Sequence, residues 1–505
     1  MAIRALATAL GRYEFVHNQR ANLYFPRRVE TAQNTPERLG IFGEEGIGGK
    51  GEGLVFALAH RESLGYQIPL TIAIGRERTM LESVGLKQIS TAAQLIGIEP
   101  PLAVRSSSFL EDRKGFPAAG VFSTRVCGNW GLDLSDPRSF IRQMQEVVSS
   151  ADSPRAYSYY KFLGIEEIPP MAIIIQELIG KEWKFIPGIF FPAYSGIINT
   201  ASLQSIKISF DIGFGVNQVG NKGTGALVVY DKTTLNVKDK QPRFPEIVSY
   251  YDHQVELLQE MPEIYDHIRR HFDTLNYNML RGLGDKQNLI NRLAVIARKL
   301  ERIAGYPLDI EWASPDGKQI YLLQVRPIAP KIIREDPPSQ VKKILDTREV
   351  IGQGTMTFDH ILVINDPFPK GNFPDYAVME RIRQQAPNCL IVYQCKSLDR
   401  IFSETMWRLF PYAKAVCIVE ENACHDRGIG IQHIALCVHS IGRVILYSPN
   451  RIMKDRLIAS GKPLPTYGES PNGETSKDER SVKLYSLPSL HLYADDERKR
   501  AFIYR

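Results

Sequence analysis

Six cysteines in 505 residues are too few and too scattered for a disulfide framework, and they fit a reducing compartment. An excess of one charge is also missing. The formal net charge is only +6, which suits anionic ligands but does not argue for nucleic acid. No long apolar run is present: residues 185–201 lack charge but are broken by Pro187, Gly188, Pro192 and Gly196, so no membrane span is expected. The opening residues carry Arg4 and Arg12 among alanines and leucines, too short a stretch for a secretory signal, though a weak transit-peptide character stays open. There is no internal repeat. His425, His433 and His439 with Cys424 and Cys437 match no standard zinc spacing. What remains is a chain with 44% hydrophobic residues, enough for two or three domains with proper cores, and a cytoplasmic location is expected.

The chemistry-bearing residues fall into segments. Asp309-Ile310-Glu311-Trp312 and Gln324-Val325-Arg326-Pro327 read as two strands joined by the turn Ser314-Pro315-Asp316-Gly317. Alternation puts Asp309 and Glu311 on one face and Ile310 and Trp312 on the other, and it pairs Gln324 with Arg326 in the same way. Two carboxylates can hold magnesium, and a guanidinium can grip phosphate oxygens. The plainer alternative is a surface hairpin with its charges in water. Upstream, Gly46-Ile47-Gly48-Gly49-Lys50-Gly51-Glu52-Gly53 runs into an apolar helix start, where backbone N–H groups and one lysine could meet an anion, although the P-loop spacing is absent. Arg105 leaves a short apolar strand into Ser106, Ser107 and Ser108, followed by Glu111-Asp112 and the small residues Ala118-Ala119-Gly120. Met171 to Leu178 reads as a buried strand that ends in the polar pair Gln176 and Glu177.

In this order, from about Gly46 to Pro327, these segments resemble the ATP-binding domain of the phosphoenolpyruvate synthase and pyruvate phosphate dikinase family. The family's Gly-Gly-Lys falls on Gly48-Gly49-Lys50, and its Val-Arg-Ser-Ser…Glu-Asp on Val104 to Asp112. Its lid glycine and threonine fall on Gly120 and Thr124, and its Asp-Ile-Glu-Trp…Leu-Gln-x-Arg-Pro motif is almost intact. The resemblance implies ATP and Mg2+ as ligands. It implies Lys50, Arg105 and Arg326 on the phosphates, Gln176, Glu177 and Leu178 at the adenine, and Asp309, Glu311 and Gln324 at the metal. Where the family carries Gly-x-Gly-Glu, this chain has Gly213-Phe214-Gly215-Val216, so one carboxylate is missing and weaker metal affinity or turnover is expected.

The last third carries His425-Asp426-Arg427-Gly428, His433-Ile434-Ala435 and Ser440-Ile441-Gly442 between apolar strands at 415–419 and 444–446. This is similar to the family's phosphohistidine segment, with His433 at the phosphoacceptor position. Such a histidine works by nucleophilic catalysis. The altered neighbours Ile429, Gln432 and Ile434 leave open a plain histidine in a degenerate domain. The fold expected is multidomain, mixing α+β and α/β: an ATP-grasp-like nucleotide-binding module, then a swivelling β/α phosphohistidine-like domain. Boundaries follow as an extension at 1–40, the module at 41–330 in two subdomains split near 115–200, a linker at 331–345, and the swivelling domain at 346–505 with a polar C-terminal tail. A helix is expected from Asp285, its N-cap, to Ile303, closed by Gly305. The function implied is dikinase-type phosphotransfer, with release of AMP and passage of the phosphoryl group to an unidentified acceptor on a small molecule or a separate polypeptide. A regulatory nucleotide-binding pseudo-enzyme and an acyl-phosphate-forming ligase are the alternatives. Neither nucleic acid nor membrane is an expected partner.

Overall fold

The computed structural model describes residues 13–504 apart from 19–22, 29–37, 43–45, 76–88, 95, 110, 112–120, 137–138, 164, 166–170, 184–185, 215–225, 242–247, 252–253, 258–265, 267–269, 271–278, 329–340, 349, 366–375, 396–408, 421–442, 449–454, 456, 460, 465–481 and 496–499. The chain divides into two compact units, one of residues 1–156 and 167–330, the other of 157–166 and 331–505.

The first unit opens with β1 (Tyr13–Asn18), β2 (Leu23–Arg28), β3 (Leu39–Phe42), β4 (Thr71–Ile74), β5 (Leu102–Ser108), β6 (Thr124–Cys127) and β7 (Met171–Glu177). They form one sheet in the order β1-β2-β3-β4-β7-β5-β6. Only β3 and β4 run parallel, and the helix α1 (Gly48–Leu64) makes the crossover between them, as a parallel pair requires. Alternation along the strands serves two cores. Ala73, Ala103 and Ile174 face the α1 side. Ile72, Val104, Ile173 and Ile175 pack with Phe140, Met144 and Val147 of α2 (Phe140–Ser149). The expected extension at 1–40 is corrected here. β1 and β2 pair antiparallel and β2 continues onto β3, so the described strands within it form the edge of the sheet. Alternating Tyr13, Phe15 and Leu23, Phe25 carry that strand signal, which the family motifs did not reach.

After the short α3 (Pro154–Leu163), whose residues from Tyr157 group with the second unit, come β8 (Lys181–Trp183), β9 (Ile186–Phe191), β10 (Tyr194–Asn199), β11 (Ser205–Asp211), β12 (Ala226–Asp231), β13 (Val237–Gln241), β14 (Val248–Tyr251), β15 (Gln254–Leu257), β16 (Leu308–Ser314) and β17 (Tyr321–Pro327). A six-stranded antiparallel sheet runs β13-β12-β11-β10-β16-β17, and a small one runs β15-β14-β9-β8. The helix α4 (Leu289–Ala304) lays Leu289, Leu293, Ile296 and Leu300 into a core with Ile198, Ile208, Val228, Ile310 and Trp312. Its start differs from expectation. Asp285 sits in a preceding turn, and Asn288 is the cap, its side chain accepting the Ile290 N–H at 2.9 Å. Gly305 closes the helix at φ +74°, as its composition predicts.

The second unit is built on one sheet of β18 (Lys343–Thr347), β19 (Val350–Ile351), β20 (Gln353–Asn365), β21 (Cys389–Cys395), β22 (Ala415–Glu420), β23 (Val444–Ser448), β24 (Lys462–Pro463), β25 (Val482–Asp495) and β26 (Arg500–Tyr504). Strands β20 to β23 run parallel in sequence order, with α5 (Tyr376–Gln385) in the first crossover. The expected polar tail is also corrected: β25 pairs with β20 along most of its length and β26 pairs with β25. Leu487, Leu490, Leu492, Ala501 and Ile503 join the core, and most of the charges that suggested a tail fall in the stretch between the strands and in the segment before them. Among the described residues no helix is long and apolar enough to cross a membrane.

Candidate functional site

The hairpin forms, with its faces as the alternation predicts. Asp309 stands opposite Arg326 and Glu311 opposite Gln324. A bulge after Glu311 shifts the pairing only beyond these residues. The apolar face, Ile310, Trp312 and Val325, is buried in the main core. The polar face does not stand in water, which excludes the plain surface hairpin. Asp309, Gln324 and Arg326 are all buried. Arg326 donates Nε–H to Asp309 Oδ2 at 2.8 Å, and one of its terminal nitrogens lies 2.7 Å from the same oxygen as an ion pair.

Arg105 on β5 crosses to the hairpin. One terminal nitrogen meets Glu311 Oε2 at 2.9 Å and also Gln324 Oε1. The other meets Gln176 Oε1 at 3.3 Å and the Leu323 carbonyl at 3.1 Å. Charge-assisted bonds of this kind are the stronger ones. Arg105 therefore ties β5, β7 and the hairpin together. Thr124, the expected lid threonine, is half-buried and pairs directly across from Arg105 in the β5–β6 register.

Lys50 lies in the first turn of α1. Gly48 has φ +70°, and a side chain there would run into the Ser107 carbonyl. A Cβ on Gly53 would sit 2.0 Å from the Val325 carbonyl, so this glycine lets the helix lie directly on β17. The glycines thus set a close helix–sheet contact, and this brings Lys50 to β5. Its ammonium pairs with Glu111 and reaches Ser106 Oγ at 3.4 Å. Glu111 was legible as part of a motif but not as a site residue. It is buried, and its Oε2 accepts the Ser108 N–H at 3.2 Å.

Three cations thus each hold a carboxylate: Lys50 with Glu111, Arg105 with Glu311, Arg326 with Asp309. Glu311 is the most open of the carboxylates, its side chain 13% exposed against 4% for Glu111 and 0% for Asp309. Among the described residues no cluster of three or more His, Cys, Asp or Glu side chains converges as a ready-made metal cage. Glu311 beside Gln324 fits a magnesium ion that arrives with phosphates, since such an ion takes only one or two protein carboxylates.

At the end of β7, Gln176 turns inward. It contacts Arg105, and its Nε2 lies 3.4 Å from Thr71 Oγ1, a partner that no sequence signal marked. Glu177 N–H donates to the Leu70 carbonyl at 2.8 Å, and Leu178 N–H to that of Pro101 at 3.3 Å. Tyr321, at the start of β17, has its phenol raised by burial, against the pull of Arg38. Gly120, Val216 and the whole histidine segment, with His425 and His433, lie outside the described residues.

A family model, the AMP/ATP-binding domain of pyruvate phosphate dikinase, matches residues 78–348. That segment includes Arg105, Thr124, Gln176 and the hairpin, and Lys50 precedes it. The chain is 32% identical over 228 residues to an uncharacterized phosphotransferase, YvkC, of Bacillus subtilis (strain 168), covering 45% of this chain and 24% of that protein. It is 28% identical over 231 residues to a probable phosphoenolpyruvate synthase of Methanocaldococcus jannaschii, covering 46% and 17%. Prodigiosin synthesizing transferase PigC of Serratia marcescens is 27% identical over 285 residues, covering 54% and 29%. The chain spans less than a third of each of these relatives.

Proposed function

Because the chain belongs to the pyruvate phosphate dikinase AMP/ATP-binding domain family, we propose that it is an ATP-dependent phosphotransferase of the dikinase type. In this reading Lys50, Arg105 and Arg326 hold the phosphates, Gly120 and Thr124 lie over them, and Gln176 to Leu178 border the adenine. Glu311 and Gln324, with Asp309 behind them, hold the metal. Magnesium, when bound, offsets phosphate charge. His433 attacks the β-phosphorus, the bond to the α-phosphate oxygen breaks, and AMP leaves. Water then takes the terminal phosphorus as inorganic phosphate, breaking its bond to the bridging oxygen, and the phosphoryl group left on His433 passes to an acceptor, a small molecule or one bound by a separate polypeptide. A cytoplasmic setting belongs to the same reading.

The observation that carries it is the wall of three cation–carboxylate pairs shared by α1, β5 and the hairpin. A set of buried cations whose partners are carboxylates is suited to exchange those partners for phosphate oxygens. The test is to incubate the purified chain with magnesium and ATP and to identify the nucleotide formed. AMP is expected. ADP alone would move the chain to a simple kinase or a ligase. Binding without any conversion would make it a nucleotide-responsive regulator.

A further inference from the structure

The Lys50–Glu111 pair stands apart from the other two, because its carboxylate belongs to neither strand of the hairpin. Resting on the reading that Lys50 meets phosphate, we propose that Glu111 is a positioning residue that holds Lys50 in the nucleotide-free chain. It thereby sets the negative charge a ligand must bring to take the lysine over.

The geometry shows which partner moves. Glu111 follows β5 directly, and its carboxylate is anchored before any lysine arrives: Oε2 accepts the Ser108 N–H at 3.2 Å and lies 3.2 Å from Ser106 Oγ. Glu111 N–H donates to the Ser108 carbonyl at 3.0 Å. The helix start is fixed to the same strand, with Gly51 N–H donating to Ser107 Oγ at 3.2 Å and that hydroxyl donating to the Ile47 carbonyl at 2.7 Å. Between two fixed backbones, the four-carbon stem of Lys50 is the mobile part. Taking the ammonium from Glu111 breaks a buried pair, which is costly unless another anion replaces it. A nucleotide that delivers phosphate to Lys50 makes that replacement. A nucleoside leaves the pair intact, so the cost of breaking it falls only on ligands that bring phosphate to Lys50, and the pair re-forms when the phosphates have gone.

Calorimetry of Mg-ATP and of adenosine on the full chain tests this with Glu111→Gln, Glu111→Asp, Lys50→Met and the double variant Glu111→Gln/Lys50→Met. Glutamine keeps an acceptor for the Ser108 N–H but releases the lysine. ATP is expected to bind Glu111→Gln about tenfold more tightly, about 1.4 kcal/mol, with adenosine unchanged. Glu111→Asp should give a smaller gain, and the gain should vanish in the Lys50→Met background. A purely structural Glu111 has the opposite sign, because a loosened turn after β5 weakens ATP binding. ATP affinity unchanged or weaker in both Glu111 variants would overturn the proposal, as would a gain that survives Lys50→Met, a matching gain for adenosine, or failure of both Glu111 variants to fold. Should the wild-type chain not bind ATP, the phosphate-site reading itself goes. Binding that Lys50→Met weakens, with no gain in Glu111→Gln, removes only the hold on the lysine.

Discussion

At the scale of single residues, Arg326 and Glu311 carry similar charge chemistry but different structural debts. Arg326 is the partner of a carboxylate with no side-chain exposure, Asp309. Replacing it by alanine strands that charge in the interior, so Arg326→Ala should lose about 3–5 kcal/mol of stability in urea unfolding, and Asp309→Asn in the same chain should restore part of it. Glu311 is the more open partner, and Arg105 keeps Gln324 and the Leu323 carbonyl when Glu311 is neutralised. Glu311→Gln should keep the fold and weaken Mg-ATP binding by about 1.5–3 kcal/mol in calorimetry. This difference was not legible in the sequence. Alternation assigned the faces of the hairpin, but whether a charged face meets water or protein depends on which other strand lies across it. The thiols are a second residue-scale case. Burial pushes Cys389 and Cys417 up to about 12, so at pH 8 only about one molecule in ten thousand carries the thiolate at either site. Both should resist iodoacetamide in the folded chain and react on unfolding, as read by peptide mass mapping.

At the scale of elements, the glycine run before α1 was legible as a loop entering a helix, but its purpose shows only in three dimensions. Gly53 permits contact between the helix and the Val325 carbonyl, a constraint that comes from a strand more than two hundred residues later. Gly53→Ala should therefore force α1 away from β17 and cost about 1–3 kcal/mol despite alanine's better helix propensity. Because Lys50 rides on that helix, ATP affinity should fall in parallel with the melting temperature. An alanine variant that raises the melting temperature would show that the helix is not seated on the strand. The hairpin was read correctly because its signals are local: alternation and a Pro-Asp-Gly turn. The cap of α4 was misplaced by three residues, because Asp285 and Asn288 offer the same chemistry and only the preceding turn decides between them. The strands at both ends were missed for another reason: β25 and β26 find β20 and β18 far along the chain, while in β1 and β2, which pair with each other, charged neighbours outweighed a short alternation.

At the scale of the whole molecule, the described site residues all belong to the first unit, while His433 belongs by sequence to the second. Each unit has its own sheets and cores, so a change confined to one is expected to leave the other folded. That separation gives the proposed chemistry a sharp test with ATP labelled at the β-phosphate. The wild-type chain should retain acid-labile, base-stable label, the signature of a phosphorylated imidazole. His433→Ala should bind Mg-ATP with unchanged affinity yet retain no label and release no AMP, because binding uses only the first unit. Glu311→Gln should lose label because it binds ATP poorly, and raising the ATP concentration should recover part of it. No such recovery is expected for His433→Ala, since concentration cannot replace a nucleophile. Label that persists in His433→Ala would place the acceptor atom elsewhere. Loss of ATP binding in that variant would show that the histidine segment helps to form the nucleotide site, and the division of labour between the two units would then have to be abandoned.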